Sequence, residues 1–185
     1  ESGNMAVGWL VQGFRVLSNS KHAIRTLPDL QGLKIRVPNN PIMIATFRAW
    51  GGEPAPMAWD ETFNALQQKV VDGQENPYTV FASNKCEEVQ KHITAMHYKM
   101  WVGPMVVNAA WFKKQPEDVQ KAILEAGRIA TANNRTMIAE MEADLVKQLQ
   151  TAGVQIVDAP QDEPVWQEKA MSVWPQFYDK IGDIS

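Results

Sequence analysis

A single cysteine, Cys86, stands among 185 residues, so no disulfide can close within the chain. That fits the cytoplasm, and equally a periplasmic protein that does without disulfides. Long apolar runs are missing too. Nowhere do about 18 uninterrupted apolar residues occur, which excludes a membrane-spanning helix of the usual kind. Excess positive charge is absent: Lys and Arg total 18 against 21 Asp and Glu, a formal net charge of -3. With no basic block and no aromatic RNA-binding motif, nucleic acid is not an expected partner. Catalytic signatures are equally scarce. No nucleophile elbow, phosphate loop, His-Glu-x-x-His or paired-cysteine motif appears. Cys86, His92, His97 and Glu75 are the candidate groups for an enzyme, and the carboxylates beside Cys86 disfavour its thiolate. The start of the chain shows neither an initiator Met nor a signal-like apolar core. A removed leader, or a chain that begins inside a longer protein, is the expectation.

What is present describes a folded globular protein. Hydrophobic residues make up 45% and charged residues 21%, enough apolar material for one ordinary domain or part of a two-lobed one. Seven Trp and nine Met imply large, adaptable apolar surfaces, mostly core.

The pattern predicts an extended segment from Trp9 to Leu17, then a short helical turn at Thr26-Leu27-Pro28-Asp29-Leu30. Leu33 to Val37 is a buried strand stopped by Pro38. Asn39 or Asn40 caps a helix with Pro41 at its first position, and Gly51-Gly52 end it. Glu53 to Ala58 forms a second strand, and a helix follows with Asp60 and Glu61 in its first turn. A third strand covers Val70 to Glu75. Strand-helix-strand-helix-strand in about 45 residues is the mark of parallel βαβ units. Further on, a short helix is predicted over Val80 to Gln90, with strands at His92 to Tyr98 and Met105 to Asn108, separated by Gly103-Pro104. A long helix runs from Pro116 to Gln150, its apolar residues recurring every three or four positions. Val154 to Val157 returns as a strand, and Trp166 to Phe177 closes as an amphipathic helix bent or stopped near Pro175.

Three segments end strands where an open α/β sheet binds its ligands. Arg36 brings a planar guanidinium, matched to a carboxylate by its fork. The same Arg could instead snorkel to the surface or pair with a structural acid. Trp59 could wall a pocket or act as a hydrophobic staple under the following helix. Asn76 offers donors and an acceptor for a carboxylate or hydroxyl, or serves as a turn residue before Pro77. Glu75 alternates with Asn76 and is expected to point to the other face. Such groups suit a small organic carboxylate and do not suggest bond-breaking chemistry.

These words are also familiar together. Gly32 to Val37, Pro56-Met57-Ala58 and Val71-Asp72-Gly73-Gln74-Glu75-Asn76-Pro77 resemble the solute-binding subunit of TRAP transporters, the DctP-like family. The resemblance extends through Glu88-Val89-Gln90-Lys91, Val107-Asn108 and Pro116-Glu117-Asp118-Val119-Gln120, and back through Gly13-Phe14-Arg15 and Arg25 to Leu30. It implies an α/β chain with a type II periplasmic-binding-protein-like two-lobed fold. Its function would be to close around a small organic acid in the periplasm and deliver it to the TRAP membrane permease. No catalysis or cofactor is implied, although some family members hold a cation beside the ligand. Gln74 and Glu75 could lend oxygens to a cation, but two residues are too few for a site. By resemblance Arg36 grips the ligand carboxylate, Asn76 lies beside it and Trp59 lines the pocket. Arg15 matches a second, more variable ligand-facing Arg, and Asn39 and Trp101 lie near pocket-lining positions.

Family members carry more than a hundred residues ahead of the matching region, forming most of a first lobe. The resemblance therefore assigns 14–101 and 143–185 to the second, ligand-binding lobe. It assigns 1–13 and 102–142 to remnants of the first lobe and a hinge-crossing long helix. Residues 99–104 are the expected hinge, given Gly103. Apolar residues such as Met105, Val107 and Trp111 would be uncovered on the crossing segment. A dimer, a swapped arrangement or the N-terminal lobe is expected to cover them. A ligand-sensing extracellular receptor domain would share the fold and pocket, and is the alternative reading.

Overall fold

The computed structural model describes residues 3–181; residues 1–2 and 182–185 of the ranges above lie outside them. One strand organises the rest. β1 (Asn4–Asn19) is 16 residues long and serves two structures in succession. Its first part pairs antiparallel with β6 (Met100–Asn108), from Asn4 opposite Asn108 to Phe14 opposite Met100. Its last five residues enter the main sheet, antiparallel to β4 (Gly73–Pro77) on one side and β5 (His92–Thr94) on the other. With β2 (Lys34–Val37), β3 (Glu53–Pro56) and β7 (Gln155–Val157), the order is β3-β2-β4-β1-β5-β7, and β6 joins β1.

β2 lies parallel to both β3 and β4. The crossover through α1 (Pro41–Ala49) leads outward from β2 to β3. The next, through α2 (Trp59–Gln67), leads back past β2 to β4. Right-handed crossovers in opposite directions put their helices on opposite faces. The core divides accordingly. Leu17, Ile35, Val37, Phe47 and Trp50 pack on one face with Trp166 of α6 (Glu163–Met171). Val16, Ala65, Leu66, Phe81 and Leu149 pack on the other. β3 is the edge strand, which is why Pro54 and Pro56 are tolerated there.

Local chemistry explains the boundaries. Asn40 is the cap of α1, its side chain accepting from the Met43 amide at 3.1 Å, with Pro41 next. The expected helix over 80–90 is interrupted. α3 (Tyr78–Ser83) ends, Lys85 takes a left-handed φ of 53°, and a 3-10 turn covers Cys86–Glu88. The third strand starts at Gly73 and runs through Asn76-Pro77, because Val70 to Asp72 form the turn leaving α2. Gly103-Pro104 do not separate two strands, and β6 passes straight through them. Pairing with Leu10 and Trp9 overrides the local turn signal there. β5 stops at Thr94, so most of the strand expected up to Tyr98 is loop. The closing helix is broken into α6, a 3-10 turn at Trp174–Phe177 and α7 (Tyr178–Ile181).

α4 (Ala109–Lys113) leads into α5 (Glu117–Thr151), 35 residues and about 52 Å long at 1.5 Å per residue. α5 lies along the β1/β6 ribbon. A Cβ at Gly127 would fall 1.9 Å from the Val7 carbonyl oxygen, so glycine alone permits this approach. Bulges near Val7 and Gln12 free backbone donors of β1. Thr131 Oγ1 takes the Trp9 amide at 2.9 Å and Asn134 Oδ1 takes the Val11 amide at 2.7 Å. Strand alternation turns Met105 and Val107 toward α5, where they are half-buried. Of the three residues expected to be uncovered, Trp111 is exposed, and it is joined by Trp9, Met100, Val102 and Val106 on the ribbon's other face. No helix among the described residues is long and apolar enough to cross a membrane.

Candidate functional site

The carboxyl ends of β2 and β3 meet the start of α2 around an open hollow of about 590 Å³. Arg36, Pro38, Asn39, Met57 and Trp59 line it, with Glu61 at its rim. β2 is Lys-Ile-Arg-Val, and alternation buries Ile35 and Val37 in one core while Arg36 projects to the opposite face. There its Nε and Nη2 donate to the Met57 carbonyl at 3.1 and 2.7 Å. The guanidinium carbon sits 5.3 Å from the centre of the Trp59 ring, within cation–π range. One carbonyl and one aromatic face thus hold the fork, leaving Nη1 and the outer half of Nη2 available. Among the described residues no carboxylate forms an ion pair with Arg36. The residue is 4% exposed. Burial lowers its pKa, the charge of Glu75 opposes that, and Arg15 adds to it. A buried cation without an anion is poised for one.

Asn76 shares this face. Gln74 stands opposite Arg36 in the β2/β4 register, and Asn76 is two residues further along. Its Nδ2 donates to Gln74 Oε1 at 2.8 Å, and the Gln74 Nε2 donates to Ser18 Oγ at 2.9 Å. Trp59, half-buried, is the first residue of α2 and does line the hollow. Asn39 lines it as well but is exposed.

Arg15 does not join them. It forms a bidentate ion pair with Glu75, with Nη2 2.6 Å from Oε1 and Nε bonded to Oε2, and Nη2 also donates to the Glu75 carbonyl at 2.9 Å. The Tyr98 hydroxyl donates to Glu75 Oε2 at 2.7 Å. Glu75 points away from Asn76, as strand alternation requires. Burial pulls the Arg15 pKa down, but the Glu75 hydrogen bond and charge outweigh it and the net shift is upward. Lys99 sits near by, its Nζ 3.4 Å from Met43 Sδ, with its pKa lowered by burial and by Arg15. Trp101 is not brought to the Arg36 hollow. It lies opposite Gly13 on the ribbon face turned to α5, its ring over Gly103. A second open hollow, about 470 Å³, lies between β1 and α5 near Trp9, Arg128 and Arg135. Its arginines are solvent-facing, so it lacks the buried cation of the first.

The candidate groups for an enzyme are scattered. Burial pushes the Cys86 thiol up to about 12, and His97 pairs with Glu163 on α6 at 3.0 Å. Among the described residues no group of His, Cys, Asp and Glu could hold a metal ion. Sequence reasoning missed Ser18, Gln90 and Tyr98, which reach the site region only through strand pairing and loop closure. Gln74 was read only as a possible cation ligand, although its place two residues before Asn76 on one strand face was the signal that could have found it.

The sequence profile described as "Bacterial extracellular solute-binding protein, family 7" (DctP) matches residues 1–181. A solute-binding protein of Verminephrobacter eiseniae is 40% identical over 156 residues, covering 84% of this chain and 47% of that protein. The 2,3-diketo-L-gulonate-binding periplasmic protein YiaO of Escherichia coli is 32% identical over 155 residues, 84% of this chain and 47% of its own length. This chain spans about half the length of these curated relatives. Among solved structures, an apo, open TRAP periplasmic solute-binding protein of Rhodobacter sphaeroides superposes with a TM-score of 0.89 at 49% identity. The match covers 100% of this chain and 60% of that one. Other similar structures hold D-erythronate, D-glucuronate, β-D-galacturonate and, in one, sn-glycerol-3-phosphate. These relatives are binding proteins, not enzymes.

Proposed function

This chain belongs to family 7 of the bacterial extracellular solute-binding proteins, and from that premise we propose that its Arg36 hollow captures a small organic carboxylate with a hydroxylated body. The captured acid is handed to a TRAP-type membrane permease, and the working place is the periplasm. One observation carries the reading: a guanidinium 4% exposed, held by a carbonyl and an aromatic ring, with no carboxylate ion-paired to it among the described residues. Arg36 forms the salt bridge, Asn76 bonds beside it, and Trp59 stacks on the body of the acid. Arg15 contributes at longer range, through its charge and by holding Glu75 on the other face. The sugar acids named for the relatives support this class.

Residues 14–101 and 143–185 form the ligand-binding lobe in this reading, and 102–142 crosses to another. Calorimetry on the native protein with D-glucuronate, D-galacturonate, D-erythronate and sn-glycerol-3-phosphate tests it. A carboxylate binds, and Arg36→Ala weakens it by about 3–5 kcal/mol through the unpaired buried anion. Arg36→Lys also loses affinity because the fork is gone. Equal affinity in either variant overturns the assignment, and preference for the phosphate moves the ligand class.

A further inference from the structure

We infer that Gln90, Ser18 and Gln74 form a one-way hydrogen-bond relay that fixes how the Asn76 amide is turned on the Arg36 face of the sheet, with Gln74 as its positioning residue. The inference rests on Asn76 being a ligand contact, as proposed above.

All four residues are buried: Ser18, Gln74 and Gln90 are 0% exposed and Asn76 is 7% exposed. Water therefore cannot satisfy an amide turned the wrong way. The relay starts at Gln90, whose Nε2 lies 3.2 Å from the Asp72 carbonyl and 3.2 Å from the Val89 carbonyl. Backbone carbonyls only accept, so the nitrogen end of this amide must face them. Its Oε1 is left as an acceptor, and the Ser18 hydroxyl donates to it at 3.2 Å. A hydroxyl has one proton. Once that proton is committed, Ser18 Oγ accepts from Gln74 Nε2 at 2.9 Å. Gln74 Oε1 is then an acceptor, and Asn76 Nδ2 donates to it at 2.8 Å. The one competing acceptor for the Ser18 proton, the Gln74 carbonyl, is farther away at 3.4 Å.

Each amide could in isolation be turned over. The chain as a whole cannot, because reversal would set Gln90 Oε1 against two carbonyl oxygens. The polarity set at a turn beyond β4 is thus carried across β1 and β4 to the site. Asn76 has one amide proton committed to Gln74, and presents its second N–H and its Oδ1 in fixed places. A carboxylate oxygen meets a donor already oriented.

Side-chain amide NMR of the native protein without ligand tests the relay directly. One Asn76 Nδ2 proton is expected to be shifted downfield and protected from exchange. Gln74→Leu abolishes that signature, whereas Gln74→Glu, which still accepts from Asn76, keeps it. Ser18→Ala weakens it and Ser18→Thr, which restores the hydroxyl, recovers it. An Asn76 signal that is the same in the native protein and in Gln74→Leu overturns the relay. The binding arm uses D-glucuronate. Gln74→Leu weakens it about tenfold in the native background and leaves it unchanged in Asn76→Ala. Equal loss in both backgrounds makes Gln74 merely structural and also overturns the relay. If the NMR signature holds while Arg36→Ala or Asn76→Ala leaves binding untouched, or D-glucuronate does not bind, the relay stands and the carboxylate reading fails.

Discussion

At the scale of single residues, the molecule separates two buried arginines by what each is given. Arg15 has Glu75 and Tyr98, and Arg36 has only a carbonyl and a ring. The first is a closed structural pair. Removing one member strands the other's charge in the interior, which costs far more than the pair contributes as a whole. Arg15→Met is therefore expected to destabilise the fold by about 3–5 kcal/mol in urea denaturation, because Glu75 is fully buried. An unchanged midpoint would show that Glu75 finds another partner. Cys86 presents the opposite case, a group protected by its surroundings. With its thiol pushed up to about 12 by burial and by Glu87, it should not react with a disulfide reagent at pH 8 until the protein unfolds. Rapid modification of the native chain would contradict that.

At the scale of elements, α5 is the part that depends most on what it touches. In an isolated helix Gly127 would be about 1 kcal/mol worse than alanine. Here alanine has no room, because its Cβ would meet the Val7 carbonyl. Gly127→Ala should raise helical propensity and still lower the thermal midpoint, by an overpacking cost of about 1–3 kcal/mol. A higher midpoint would mean that the helix can lift from the ribbon. About four turns further along α5, Glu142 lies over Gly13, whose missing Cβ leaves the space for it. Burial raises the Glu142 pKa, with His97 opposing. The folded chain then binds more protons than the unfolded one across that window, so stability falls as pH rises from the ordinary carboxylate range through the raised value. Glu142→Gln should be stabilising at pH 7 and neutral near pH 3, as read by thermal unfolding at the two values.

At the scale of the whole molecule, β1 joins a mixed sheet to a two-stranded ribbon whose outer face, with Trp9, Val102 and Val106, is uncovered. Closure about residues 99–104 follows from the proposed two-lobed reading, because the ribbon and the sheet meet there at Met100 opposite Phe14. A ligand favours closure only by contacts it makes in the closed state alone. Small-angle scattering of the native protein should show a smaller radius on saturation with whichever acid of the panel binds. A radius that does not move would remove the hinge.

Local chemistry was enough for a cap at Asn39 or Asn40, the α1 and α2 crossovers, the long α5, Arg36 near a strand end and Trp59 at a strand-to-helix junction, because each depends on neighbours a few residues away. Alternation along one strand likewise separated Glu75 from Asn76. Partners distant in the chain decided the rest. β6 runs through Gly103-Pro104 because Leu10 and Trp9 pair with it, and Arg15 turns to Glu75 although its own segment shows no acid. Ser18 and Gln90, 72 residues apart, became one relay with Gln74. Hydrogen-bond direction in a dry interior is a property of the whole chain of donors and acceptors, which exists only after the strands have come together.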